Sequence, residues 1–514
     1  MKLRRFDVAI IGGGASGMAT LAALAALAQQ QKPLGARPIS VAVIDRDSRI
    51  GYGCTYGPDS HWLLMNTPAH LLSIRSDDTE HFIHWLQRQG DTSAAAGPYS
   101  YVSRMTYGEY LREQFQHIKA KSRDLDVCQI IAWAQRLDLD TDGGVRIGLD
   151  TAPDLIARKV VLATGPNAPS DPYGLTGRPG YLANPYPAAN RLTGVPPEQD
   201  VTIIGSSLTA VDVVLSLVHL GHRGNITMAS RRGLLPEVRP DYTVIPYADT
   251  ATAPCQHDQI SPADALQAFR EFFATTINTQ QPYPGFAREM STNPVENFFE
   301  AVRLSGNPAA PGCRDRCLRF NELNKVYLVM QQVWPYLNEA ELMAFMDTQY
   351  ATWQRLLTPI PRTNAEQILR LINAGVLDVR GGLRAVLPTR HEAFELSFSD
   401  ESSYTAKVVI NATGPRRNLV AAGEDHLYAH LKRNGDLREL PTGGARVTHP
   451  DGNLIGVAGP VEQIHAVGQP SLGSHPCIND LIQIAANAGL IARAICDQLR
   501  RHHLSSTAPE KVAW

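Results

Sequence analysis

The stretch FDVAIIGGGASGMATLAALAALA, residues 6–28, decides the fold. Phe6 to Ile11 is a short apolar run rich in β-branched side chains, the pattern of a strand buried on both faces in a parallel sheet. Glycines follow at 12, 13, 14 and 17, and then an Ala/Leu-rich run with the composition of a strong helix former. A second strand, ISVAVID, ends at Asp45 after an inserted polar stretch, QQQKPLGARP. In a strand-turn-helix-strand unit that binds a dinucleotide, the first glycine (Gly12) permits the tight turn. The second (Gly14) lets the backbone approach a pyrophosphate, and the third (Gly17) lets helix and strand pack closely. Ala15 and Ser16 lie where the helix N-terminus meets the phosphates. Asp45 is placed to accept hydrogen bonds from a ribose diol, which supplies the context a bare G-x-G-x-x-G lacks.

The unit recurs. DVTII at 200–204 reads as a strand, GSSLTA at 205–210 as its turn, VDVVLSLVHL as an amphipathic helix and NITMAS at 225–230 as the next strand. Each copy is followed by a strand ending in Ala-Thr-Gly: KVVLATGP at 159–166, with Thr164 and Gly165, and KVVINATGP at 407–415, with Gly414. The second turn keeps Gly205, carries Ser206, and replaces the other glycines with Ser207 and Ala210, with Thr209 between them. Its second strand ends in Ser230, Arg231 and Arg232 instead of an acid. Exchanging a ribose-binding carboxylate for Ser and Arg favours a 2′-phosphate, hence NADPH over NADH. Two such sites in one chain imply electron transfer between them, with FAD expected at the first and NADPH at the second.

Composition narrows the class. The 514 residues carry 48 Lys and Arg against 50 Asp and Glu, a net charge of −2 that opposes a broad nucleic-acid or anionic-membrane surface. Seven cysteines, an odd number without repeated spacing, read as free thiols of a reducing cytoplasm and not as a secreted disulfide framework. Asp7 and the glycines argue against reading the N-terminus as a signal peptide, and no uninterrupted apolar run is long enough for a transmembrane helix. Between 240 and 363 the pattern becomes helical and rich in Phe, Trp and Met. This stretch is expected to be a helical insertion whose aromatics, Phe273, Phe298, Phe299, Trp334 and Trp353, either cover a site or pack a core.

FDVAIIGGGASG, VAVIDRDSRIGYGCTYG, HWLLMNTPAHLLSI, VVLATGP, VTIIGSSLTAVDVVLSL, ITMASRRGLLP and VINATGP together resemble the bacterial FAD/NAD(P)-binding oxidoreductases of the flavoprotein superfamily with two dinucleotide-binding domains. Among these the flavin-dependent N-hydroxylating monooxygenases are the nearest. The resemblance covers roughly residues 1–240 and 365–500. It implies an α/β protein with two Rossmann-like domains: a discontinuous FAD domain (1–185 and 412–514) and an inserted NADPH domain (186–411) that contains the helical insertion.

Carried onto this chain, the resemblance places Gly53, Tyr56, Asn66 and Thr67 along the flavin, Asn66 as an amide contact to the ring. NLIGVAGP at 453–460 becomes the strand reaching the ribityl chain, with Gly459-Pro460 where relatives carry Gly-Asp. The helix after Pro476 would face the flavin pyrimidine with its positive end.

The implied reaction is hydride transfer from NADPH followed by oxygen transfer from a C4a-(hydro)peroxyflavin to a small molecule at an amine nitrogen. Because the cofactor carries it, no nucleophile-base pair is expected. The partners are then a small-molecule substrate and O₂, with a homo-oligomer compatible. A Baeyer-Villiger activity is disfavoured, because LTGRPGYLANPY (175–186) offers Tyr181 and Asn184 where those enzymes carry a His. The alternatives are a flavin dehydrogenase or oxidase without oxygen transfer, and a non-catalytic flavin-binding protein. A disulfide reductase is disfavoured because Cys313 and Cys317 lie outside the motifs and Cys54 has no near partner. His465, His475, Cys477 and Asp480 match no zinc spacing, so no metal is expected.

Overall fold

The computed structural model of the protein describes residues 3–31, 37–90, 97–240, 293–307, 309–313, 330–421, 426–476 and 480–507, with single positions between 263 and 271 and at 327. The chain forms two compact units: Met1–Pro58, Pro68–Pro166 and Arg417–Trp514 make the first, Asp59–Thr67 and Asn167–Arg416 the second.

In chain order the elements begin with strand β1 (Arg4–Ile11), helix α1 (Ala15–Gln31), strand β2 (Ile39–Asp45) and helices α2 (His81–Gln89) and α3 (Arg104–Lys121). Strands β3 (Leu125–Ile131), β4 (Ala134–Leu139), β5 (Val145–Leu149) and β6 (Leu155–Leu162) follow. Then come β7 (Tyr181–Leu182), the short helix α4 (Ala188–Arg191), β8 (Val201–Ile204), α5 (Leu208–His219) and β9 (Ile226–Ala229). Strands β10 (Leu377–Arg380), β11 (Leu383–Pro388), β12 (Phe394–Phe398), β13 (Ser403–Ala406) and β14 (Val408–Asn411) come after the helical stretch, and β15 (Asn453–Gly456) and β16 (Gly459–Ala466) near the end.

The first unit is built on an eight-stranded sheet in the order β15-β16-β6-β1-β2-β3, extended by β4 and β5 through β6. Strands β1, β2, β3, β6 and β16 are parallel. The apolar run of β1 is buried from Phe6 to Ile11, as a central parallel strand requires. Helix α1 packs against the last helix of the unit, Leu481–Thr507. The second unit has its own five-stranded parallel sheet, β10-β9-β8-β14-β7, and a three-stranded antiparallel sheet, β11-β12-β13. Its core gathers α5, β8, β9 and the helix Arg362–Asn373, with Phe298 from the helical stretch among them.

The two Ala-Thr-Gly strands take the same place in their sheets. β6 lies beside β1 in parallel, and β14 lies beside β8 in parallel. The repeat legible in the sequence is therefore a repeat of three-dimensional structure.

Candidate functional site

The first turn is closed by backbone. Gly12 donates its N–H to the Ile44 carbonyl and Ala163 donates to the Ile11 carbonyl, both at 2.8 Å, so the ends of β2, β1 and β6 are laced together. Gly12 has φ +107°, and a Cβ there would lie 2.2 Å from the Ala163 carbonyl oxygen, which leaves room for glycine alone. At Gly17 a Cβ would lie 2.0 Å from the Gly12 carbonyl oxygen, fixing the close approach of α1 to the turn. Gly14 and Gly53 meet backbone to backbone, a Cβ on Gly53 falling 3.1 Å from the Gly14 Cα. Ala15 and Ser16 open α1, whose first turn holds no acidic residue. Its unpaired N–H groups and the positive end of its dipole are left for an anion.

Asp45 ties the turn to β2. Its Oδ2 accepts from the Gly13 N–H at 2.7 Å and its Oδ1 from the Asp47 N–H at 2.9 Å, which fixes the carboxylate at the strand end with lone pairs to spare for a diol.

The second turn repeats this construction with different chemistry. Gly205 donates to the Ala229 carbonyl at 2.8 Å and Ala412 donates to the Ile204 carbonyl at 2.9 Å. Gly205 has φ +124°, and a Cβ there would lie 2.6 Å from the Ala412 carbonyl oxygen. Gly205 thus stands to Ala412 as Gly12 stands to Ala163.

Ser206 takes the place of Gly13, and Ser230 takes the place of Asp45. The link between those places survives as a hydroxyl pair, Ser206 Oγ to Ser230 Oγ at 2.9 Å. Ser206 Oγ also donates to the Leu234 carbonyl at 2.7 Å, and Ser230 Oγ accepts from the Gly233 N–H at 2.9 Å. Both serines therefore shape the turn. Ser207 precedes α5 without capping it through its side chain, and the first turn of α5, where Thr209 lies, also lacks an acid. Arg231 and Arg232 are exposed, and neither forms an ion pair among the described residues.

The remaining expected residues divide between the units. Gly53 and Tyr56 lie in the first unit on the segment that follows β2. This segment is held by α3: a Cβ on Gly108 would strike the Tyr56 carbonyl oxygen at 2.0 Å, and one on Gly51 the Arg112 nitrogen at 2.5 Å. The Tyr56 ring meets Tyr107 edge to face at 5.0 Å, and burial pushes its hydroxyl up to about 12. Asn66 and Thr67 belong to the segment 59–67 of the second unit. That segment is anchored by Asp59, which accepts from the Ala188 and Ala189 N–H groups at 2.8 and 2.7 Å, and by Trp62, stacked on His219 at 4.8 Å.

In the first unit Gly165 has φ +73°, and Thr164 is bonded through its hydroxyl to that of Tyr428. In the second unit Gly414 has φ +83°. Tyr181 lies in β7 and donates to Asp171 at 3.2 Å, and Asn184 Oδ1 accepts from the Tyr186 N–H at 3.1 Å.

One expectation needs correcting. NLIGVAGP is not a single strand but the hairpin β15-β16, and Gly459 begins β16 instead of ending a strand. Ligands of a parallel sheet bind at the carboxyl ends of its strands. Because β16 runs parallel to β6, pairing Ala466 with Leu162, the residues that arrive at that edge are Val467, Gly468 and Gln469. Gly468 has φ +73° and packs so tightly that a Cβ would lie 2.3 Å from the Ser16 Oγ of the first turn. A glycine just after a buried apolar strand, in HAVGQP, is the sequence signal for it.

Among the described insertion aromatics, Phe298, Trp334 and Trp353 pack into cores and Phe299 does not. Trp334 and Trp353 are buried around Phe345 in edge-to-face contacts at 5.3 and 5.9 Å, Phe298 is buried, and Phe299 is 47% exposed. Phe273, Cys317 and Cys477 lie outside the described residues. Cys313 is buried and its thiol donates to the Leu304 carbonyl, while Cys54 is exposed. Among the described residues no three His, Cys, Asp or Glu side chains come together as a metal site. Asp480 caps the last helix by accepting from the Ile482 N–H at 3.0 Å.

The first turn fits a dinucleotide: a glycine cradle that any Cβ would fill, a helix start without acids, and a carboxylate fixed on the next strand. The second fits one with an extra anionic charge.

Residues 9–167 match the model of the FAD-NAD(P)-binding family. No curated protein sequence matches the chain. Among solved structures the chain is similar in fold to L-lysine 6-monooxygenase from Pseudomonas syringae, at 16% identity and TM-score 0.59, covering 96% of this chain and 99% of that one. The ornithine N-hydroxylase KtzI from Kutzneria sp. 744, solved with reduced FAD, NADP⁺ and L-ornithine, aligns at 14% identity and TM-score 0.56 over 96% of this chain and all of its own. Bacillithiol disulfide reductase from Staphylococcus aureus aligns at 14% identity and TM-score 0.51 over 96% and 99%. The chain thus has the fold of flavoenzymes with two dinucleotide-binding domains.

Proposed function

We propose that this chain is an NADPH-dependent FAD oxidoreductase that hydroxylates a small molecule at an amine nitrogen. The observation that carries the reading is the pair of equivalent turns with opposite ends: Gly12 and Ala163 with an anchored Asp45, and Gly205 and Ala412 with Ser230, Arg231 and Arg232. A carboxylate beside a ribose rejects a 2′-phosphate by charge, whereas Ser and two arginines invite it. The fold likeness to monooxygenases of lysine, ornithine and, in Erwinia amylovora, cadaverine supports an amine substrate.

When bound, FAD supplies hydride acceptance and the activation of O₂. The chain's own residues bind and orient. The turn at 12–17 and the start of α1 would hold the pyrophosphate and Asp45 the ribose, and Gly468 lets the end of β16 approach Ser16 of the first turn. At the second turn Gly205 and α5 hold the NADPH pyrophosphate, and Arg231 and Arg232 its 2′-phosphate. The odd number of cysteines without repeated spacing supports a reducing cytoplasm.

The test is NADPH consumption by the FAD-loaded protein in oxygenated buffer, with lysine, ornithine and short diamines supplied in turn and products read by mass. Consumption matched by a product one oxygen heavier supports the proposal. Consumption balanced by hydrogen peroxide with every amine overturns oxygen transfer in favour of an oxidase, and no reduction by NADPH overturns the enzyme reading altogether.

A further inference from the structure

We propose that the first unit carries a second small-molecule site, at the amino ends of its parallel strands, for a zwitterion of amino-acid to dipeptide size. The site is a cavity of about 770 Å³, within the roughly 300–1,000 Å³ of ordinary small-molecule clefts. The starts of β1, β2, β6 and β16 line it, and the last helix closes one side with Gln498, Leu499 and Arg501. Dinucleotides bind at the carboxyl ends of such strands. Asp7, in the cavity wall, precedes Gly12 of the first turn by five residues, roughly 17 Å of strand, so the cavity lies at the opposite edge of the sheet from that turn.

The cavity carries both signs of charge, and some of these charges already have partners. Asp7 is buried and satisfied. Arg37 holds its two oxygens at 2.7 and 2.8 Å, Ser40 donates its N–H and its hydroxyl at 2.9 and 2.8 Å, and Arg158 lies 3.8 Å away. Arg5 pairs with Asp142 at 3.3 Å. Four other charges lack such partners. The Lys159 ammonium donates to the Glu462 carbonyl at 2.9 Å but joins no ion pair among the described residues, and neither does Arg501, exposed on the last helix. The carboxylates of Asp451 and Glu462 accept no hydrogen bond and join no ion pair among the described residues. Two cations and two anions around one cavity oppose a simple anion or a simple cation, whereas a ligand with both charges finds a partner for each.

Two further observations suit such a ligand. Burial holds the Lys159 ammonium below the usual lysine range, and Arg501 adds to the effect, so a carboxylate bound between them relieves both. In the wall, Gln498 Oε1 is buried without a donor among the described residues, and a buried acceptor left unpaired is unfavourable until something supplies an N–H. A ligand ammonium brings three donors.

Calorimetric titration of the FAD-loaded protein tests this. The probes are L-alanine and alanylalanine, which carry both charges, and succinate and putrescine, which carry one sign each. At least one zwitterion is expected to bind, at least tenfold tighter than succinate or putrescine. Asp451→Asn and Arg501→Gln are each expected to raise its Kd about tenfold. Neither side chain holds the fold through a hydrogen bond, so flavin absorbance and the thermal midpoint should stay unchanged and certify the variants. Binding that both variants leave unaltered overturns the location, since the zwitterion then sits elsewhere on the protein. Succinate or putrescine binding as tightly as the zwitterions overturns the ligand class, and no binding by either zwitterion overturns the site. None of these outcomes bears on the dinucleotide turns, whose own test is flavin reduction by NADPH.

Discussion

Gly205→Ala separates the two turns. Its φ of +124° is one that side chains avoid, and the added methyl would meet the Ala412 carbonyl oxygen at 2.6 Å, so β8 or β14 must shift. The expected outcome is loss of NADPH-dependent flavin reduction with FAD content preserved, checked by visible absorbance of the purified protein and by anaerobic reduction. The role proposed for Arg231 is to select which nicotinamide cofactor is used. Removing a charge-assisted hydrogen bond costs about 1.5–3 kcal/mol, so Arg231→Ala should raise KM for NADPH roughly 10- to 100-fold and change KM for NADH less than about twofold. Equal effects on both cofactors would show that the arginine does not touch a 2′-phosphate. These residues were legible because each obeys a local rule: a glycine where φ is positive, an acid or an arginine where a strand ends. Gly13 and Gly468 were harder to read, since their tightness comes from Ile50 and Ser16, neighbours that only the folded chain supplies.

At the scale of elements, the stretch around β15, β16 and the start of the last helix gathers three imidazoles whose proton affinity the fold lowers. His449 and His475 meet edge to face at 4.9 Å, and His465 is fully buried. Desolvation lowers all three, His465 to about 4 and His475 to about 3, so His465 and His475 are neutral in the folded protein at pH 5. In the unfolded chain they protonate below about pH 6.5. Between pH 6.5 and 4 the unfolded state therefore binds more protons, and stability rises with pH across that window and is complete above it. At pH 5, His465 and His475 should together bind about two protons from solvent on unfolding. The slope of stability against pH measures this, and His475→Gln should reduce it by about one proton.

The same elements show where sequence reading falls short. The apolar patterns of β1, β2, β6, β8, β9 and β14 declare themselves, because central parallel strands are apolar throughout. The β15-β16 hairpin does not, since Asn453 to Pro460 is apolar on both sides of its turn and only the antiparallel pairing of β15 with β16 reveals the reversal. Likewise the insertion aromatics satisfy a lid and a core equally well until Phe345 is seen between two tryptophans.

Across the whole molecule, ligands should act as separable increments. With FAD in 100-fold excess over its Kd, stability should rise by about 2.7 kcal/mol, and NADP⁺ should add a further increment that Gly205→Ala abolishes. Thermal melts with each ligand alone and with both would measure these. The repeat that foretold two dinucleotide units was legible over the whole chain, because two copies of one pattern corroborate each other. Segment 59–67 was not, since nothing local in Asp59 or Trp62 says which sheet they serve.

The interleaving of the units also orders events on the ribosome. The first unit is begun at β1 but lacks β15, β16 and its last helix until residues 417–507 emerge, after the whole of 167–416 has been made. At about 5–20 residues per second, that interval is on the order of tens of seconds. During it β6 presents to the cell the edge that β16 will later cover at Val160 to Leu162. The unit that starts first finishes last, and its nascent sheet edge is the surface a chaperone would meet.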